Sequence, residues 1–133
     1  MSFNSWDVSY SSISFVKEVL GGHNKVTNFT RKRDILFIIK LKNGTTLNML
    51  LVDEYCLGLA AVYRARSEFP EADYIVTCAN WNGYTKEAKD YGTINDLGIY
   101  NIGEFLGAIY SDNPKLFYKK DDEGKPVYAY KVA

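Results

Sequence analysis

The chain reads as an α/β domain: a mixed sheet with a central antiparallel hairpin, helices on both sides, and a small β-hairpin at the C-terminus. Three observations predict this. Residues 31–55 hold two apolar runs joined by Asn43-Gly44, the dipeptide preferred in a two-residue hairpin turn. Beyond them, apolar residues recur at helical spacing in two segments, with a capped polar helix between them, interleaved with short runs rich in β-branched and aromatic residues, an order that suits parallel crossover units. At 133 residues, 47% of them hydrophobic, the chain is long enough to bury one core, and no linker-like stretch divides it. One domain over residues 1–133 is expected, with a core at about 10–110 and a hairpin at about 115–133.

In chain order, residues 8–20 place Val8, Ile13, Val16 and Leu20 near helical spacing, with Asp7 or Ser9 as cap and Gly21-Gly22 as the stop. Residues 23–30 form an extended lead-in to the hairpin, and His23 stands in a loop as a solvated or capping residue. The hairpin strands, residues 35–41 and 46–52, are apolar on both faces, as expected of central strands. If Lys42 pairs with Thr45 across a two-residue turn, Phe37 faces Leu50 and Asp34 faces Asp53. Two neighbouring carboxylates would then lie at the end of the most buried strands. Like charges so placed need a cation, a shared proton or full solvation.

After Tyr55, residues 57–69 form a helix closed by Pro70, and residues 72–79 form a buried strand. The loop 80–85 that follows carries Trp81 and Tyr84. These either stack on a base or cover the open end of the core. A helix over 86–91 and a short strand over 97–100 lead to Asn101 and Glu104, spaced as a capping box for a helix over 102–110. The tail forms a hairpin turning at 121–124, with Pro126 marking an edge strand.

Charge excludes some classes. The net charge is zero, which is not the profile of a strong non-specific nucleic-acid binder. Residues 1–42 nevertheless carry seven Lys/Arg against three Asp/Glu, and Arg31-Lys32-Arg33 is the densest basic run, suited to phosphate contact. Cys56 and Cys78 are expected as reduced thiols, because one histidine leaves too few ligands for a Cys/His zinc site. No run has the length of a transmembrane helix and the N-terminus lacks a signal-peptide pattern. A cytoplasmic protein with no membrane partner is expected.

The order helix, antiparallel hairpin, helix, strand, loop, helix, strand, helix resembles the PD-(D/E)xK superfamily, the three-layer restriction-endonuclease-like fold that includes Mrr-like and Holliday-junction-resolvase-like nucleases. The resemblance spans roughly residues 10–110. It implies a metal-dependent nuclease hydrolysing DNA or RNA, with Mg²⁺ or Mn²⁺ as cofactor. Glu18 matches the family's helix acid, Asp34 its strand-opening aspartate, and Asp53-Glu54-Tyr55 falls where acidic-x-Lys belongs. Asp34, Asp53 and Glu54 would hold the metal, and Lys32 would supply the missing lysine from the partner strand. Arg31, Arg33, Trp81 and Tyr84 would contact nucleic acid, and a homodimer would help to grip a duplex. Tyr55 in place of the lysine, and no proline before Asp34, mark a degenerate motif. The alternative reading is a catalytically degenerate domain on the same scaffold, acting as a binding, inhibitor or immunity protein.

Overall fold

The computed structural model describes residues 4–132; residues 1–3 and 133, the ends of the expected domain, lie outside the described residues. It is an α/β protein built on a five-stranded mixed sheet. The elements in order are α1 (Tyr10–Gly22), β1 (Val26–Lys32), β2 (Leu36–Leu41), β3 (Thr46–Val52), β4 (Cys56–Leu57), α2 (Leu59–Glu68), β5 (Tyr74–Thr77), β6 (Gly83–Tyr84), α3 (Lys86–Ile94), β7 (Gly98–Asn101) and α4 (Ile102–Ala108). A short 3₁₀ turn, Pro114–Leu116, leads into the C-terminal hairpin of β8 (Lys119–Lys120) and β9 (Pro126–Val127). The main sheet runs β1-β2-β3-β5-β7. Its first three strands form an antiparallel meander, and β3, β5 and β7 are parallel.

Local chemistry accounts for these boundaries. Ser9 caps α1 by accepting from the Ser12 N–H, and Thr85 caps α3 by accepting from the Ala88 N–H. At α4 the capping box forms as expected, with the Asn101 side chain taking the Glu104 N–H and the Glu104 carboxyl taking the Asn101 N–H. Gly21 and Gly22 do not stop α1 but form its last turn, and His23 ends it. The lead-in is a full strand that carries Arg31 and Lys32 along the sheet edge.

Paired residues project to the same side of a sheet, and alternate residues project to opposite sides. Phe37, Met49, Tyr74 and Gly98 therefore share one face. Tyr74 meets Phe105 of α4 there, with ring centroids 5.5 Å apart. Helix α1 lies beside α4, since His23 packs on Tyr110 at 4.7 Å. Leu36, Leu50, Ile75 and Ile99 share the other face. Gly92 of α3 abuts Ile99 so closely that an added Cβ would stand 2.6 Å from its side chain. Helix α2 lies beside α3, with Tyr63 edge-on to Tyr91. The hairpin strands are covered from both sides, and Phe37, Ile39, Met49, Leu50, Leu51 and Val52 are fully buried.

The hairpin register differs from expectation by one residue. Leu36 pairs with Leu50, Ile38 with Asn48, and Lys40 with Thr46. Leu41 donates to the Thr45 carbonyl, leaving Lys42, Asn43 and Gly44 as a three-residue loop. Only Gly44 takes positive φ, at 91°. The Asn43 side chain instead accepts from the Thr45 N–H at 2.9 Å, the arrangement of a turn closed by a glycine bulge. Lys42 is drawn the other way, its N–H donating to Lys25 next to β1. Because both faces of the hairpin are apolar, hydrophobic patterning does not select between the two registers.

Candidate functional site

The register separates the two aspartates expected to be neighbours. Asp34 does not open β2. It stands at the tip of the β1–β2 turn, where Arg33 and Asp34 both have positive φ (51° and 72°) and the Ile35 N–H donates to Arg33 across it. Its carboxylate takes Arg31 at 2.7 Å and the Asn4 amide at 2.7 Å. Asp34 lines a cavity of about 420 Å³ with Arg33, Glu68 and Phe69, at the end of α2. Asp53 follows β3 and, by alternation, projects toward α1 on the opposite face. It lines a different cleft.

That cleft, of about 430 Å³, opens at the C-terminal end of the parallel strands. Ser11, Ser12 and Phe15 of α1 form one wall, and Trp81 and Ile102 form the other. Asp53 and Cys78 line it between them. Phe15 falls outside the buried stripe of Ile13, Val16 and Leu20 on its helix, which leaves it 48% exposed, and Trp81 is 73% exposed. Asp53 is exposed and accepts from the Asn82 amide at 3.4 Å. Burial pushes the Cys78 thiol up to about 11, and Asp53 beside it adds to the rise. Such a thiol is protonated at neutral pH and is no ready nucleophile.

The other expected site residues are dispersed. Glu18 is exposed on α1 and does not line the cleft. Lys32, the last residue of β1, pairs with Leu36 of β2 and not with Tyr55. Glu54 is half-buried, its backbone clasped by the Thr77 hydroxyl through bonds of 3.0 and 2.6 Å. Its carboxyl is raised above the usual range mainly by burial, with Arg64 opposing and Asp53 and Asp7 reinforcing. Arg31 is held by Asp34. Arg33 stacks over Phe69 at 3.9 Å and donates to the Glu68 carbonyl and to Glu71. Tyr84, expected either to stack on a base or to cover the core, is fully buried and does the second, its hydroxyl donating to Glu104 at 2.7 Å. Of the two loop aromatics only Trp81 faces solvent.

A divalent cation requires oxygen ligands that converge within about 2.0–2.6 Å of one point. Asp34 and Asp53, which line separate cavities, do not offer this, and among the described residues no three His, Cys, Asp or Glu side chains gather as a metal would need. The residues present do not fit the Mg²⁺ or Mn²⁺ implied by the resemblance.

A second polar cluster lies at the free edge of β7 and was not legible as a site. Lys89 of α3 is buried, donates to the Ile99 carbonyl at 2.8 Å, and lies 4.1 Å from the Tyr100 ring centroid. Glu104 is buried nearby between Tyr84 and the Asn101 N–H. Residues 129–131 strap this region, since Tyr84 donates to Ala129 and Lys131 donates to Tyr84. Lys89 follows Lys86 by three residues in a helix of polar appearance, so no sequence signal distinguishes the buried lysine from the solvated one.

No protein-family model, curated protein or solved structure matches the chain.

Proposed function

We propose that this chain is a restriction-endonuclease-like domain in three layers whose metal centre has been lost and which acts by binding a protein partner at the Trp81–Phe15 cleft. The scaffold reading is supported by the order of elements: one helix, a three-stranded antiparallel meander, then a helix leading to a parallel strand. The binding reading rests on one observation above all. Asp34, in the β1–β2 turn, lines the cavity at the end of α2, whereas Asp53 lines the cleft beside α1, so the acids that hydrolysis of a phosphodiester would need on one metal do not converge.

Protein is favoured over nucleic acid by charge. The charged side chain lining the cleft is Asp53, which disfavours a phosphate there. Arg31 and Arg33, the expected phosphate contacts, are engaged within the chain. Exposed aromatic side chains around a polar floor are what a protein interface uses as anchors.

The test is incubation with plasmid DNA and with single-stranded RNA in Mg²⁺ and in Mn²⁺, alongside thermal melts across the same metal concentrations. Neither cleavage nor a saturable rise in melting temperature is expected. Metal-dependent cleavage that Asp53→Asn abolishes would overturn the proposal, as would a saturable rise in melting temperature that the same substitution removes, because a metal bound only by the folded state must raise its stability.

A further inference from the structure

We infer that the cleft receives an arginine side chain of the partner, stacked on Trp81 and Phe15 and paired with Asp53. This rests on the binding reading above and names the chemistry of its occupant.

The chain builds the same three-part arrangement twice from its own residues. Arg64 lies 3.9 Å over the Trp6 ring while its Nε bonds Glu68 at 2.8 Å. Arg33 lies 3.9 Å over the Phe69 ring with Glu71 at 3.4 Å. In each, a guanidinium lies close over an aromatic ring and bonds a carboxylate at 2.8–3.4 Å. Lys115 makes a looser version, 5.9 Å from the Tyr74 ring with Asp96 at 3.2 Å, because a point-like ammonium does not stack flat as a guanidinium does. The cleft supplies the aromatic rings and the carboxylate, and among the described residues no guanidinium lines it. Among the described residues Asp53 forms no ion pair.

Charge complementarity selects the occupant. Asp53 and Asp7 both act on Glu54 behind the cleft, where Arg64 is the opposing cation and is bonded to Glu68 and stacked on Trp6. Lys119 stands at the other rim, beside Asn80 and Gly103. An incoming cation gains from Asp53, and a phosphate or carboxylate loses. The volume of about 430 Å³ lies within the range of about 300–1,000 Å³ typical of ligand pockets. One long side chain fits with its flanking backbone outside.

The experiment is an NMR titration of the full chain with the blocked peptides Gly-Arg-Gly, Gly-Lys-Gly and Gly-Glu-Gly and with oligothymidylate. It follows the indole N–H resonance of Trp81, assigned by its loss in Trp81→Phe. Gly-Arg-Gly is expected to shift it saturably and Gly-Glu-Gly to leave it unmoved. Asp53→Asn should weaken the arginine peptide about tenfold, whereas Asp34→Asn, in the separate cavity, should not. Retained spectral dispersion shows that each variant is folded. No shift with Gly-Arg-Gly, an equal affinity for Gly-Lys-Gly, or a response to oligothymidylate alone would each overturn the arginine assignment. The binding reading falls separately, on metal-dependent cleavage.

Discussion

Replacing Lys89 with methionine should make the protein more stable at neutral pH and less stable at alkaline pH. Burial lowers the Lys89 amine to about 8, against an ordinary value of 10.5, with Glu104 opposing the drop. Below pH 8 the amine is protonated in both states and the fold bears the whole cost of burying a cation. Between pH 8 and about 10.5 the folded amine is neutral while the unfolded one still holds its proton, so stability climbs with pH. The displacement corresponds to about 3 kcal/mol. Methionine fills the same space without the charge. It leaves the Ile99 carbonyl, now bonded by Lys89 at 2.8 Å, without that donor, at a cost of roughly 1 kcal/mol. The variant should therefore gain about 2 kcal/mol at pH 7 and lose about 1 kcal/mol at pH 10.5. Urea unfolding of both proteins at half-unit pH steps measures this. Cys78 and the buried Tyr74, Tyr84 and Tyr100 are raised by burial, so they contribute stability that is lost as pH rises. They do so equally in both proteins and drop out of the difference. A difference that stays flat from pH 7 to 10.5 would refute the reasoning.

Two further substitutions test the strap over the β7 edge. In Gly83→Ala the new Cβ would stand 2.0 Å from the Ala129 carbonyl oxygen, so residues 129–131 must move and two backbone bonds to Tyr84 are lost; about 2 kcal/mol is expected from urea midpoints, and an unchanged midpoint would show the strap is not held there. Tyr84→Phe removes the donor to Glu104 and the acceptor of the Ala129 N–H, and should cost about 1–3 kcal/mol while leaving the Trp81 indole resonance in place.

Much of the fold was legible because local signals agreed with the tertiary outcome. The Asn101–Glu104 box, the Pro70 stop after α2 and the β-branched run over 72–79 each act within a few residues, and each element forms within those bounds, the strand narrowing to Tyr74–Thr77. The candidate site was not legible, for a reason found in the same hairpin. Asn43-Gly44 marks a turn but does not count its residues, and strands apolar on both faces tolerate either count. A shift of one residue moved every partner across the sheet and with it the pairing of Asp34 and Asp53. Lys89 escaped notice because its burial depends on the C-terminal strap, 40 residues further on. Phe15 lies off the stripe of Ile13, Val16 and Leu20, but a single exposed apolar residue is ordinary; only the fold, by setting Trp81 across from it, makes it part of a cleft.

The hairpin register decides between a metal-holding acid pair and a binding cleft, and cross-strand NOEs read it directly. Leu51 donates to Ile35 and Leu41 to Thr45, so Leu36–Leu50 and Ile38–Asn48 are the non-hydrogen-bonded pairs, whose Cα atoms lie about 4.5 Å apart. Strong Hα–Hα cross-peaks are predicted for Leu36 with Leu50 and for Ile38 with Asn48. Cross-peaks linking Phe37 with Leu50 and Ile39 with Asn48 instead would bring Asp34 opposite Asp53 and contradict the account.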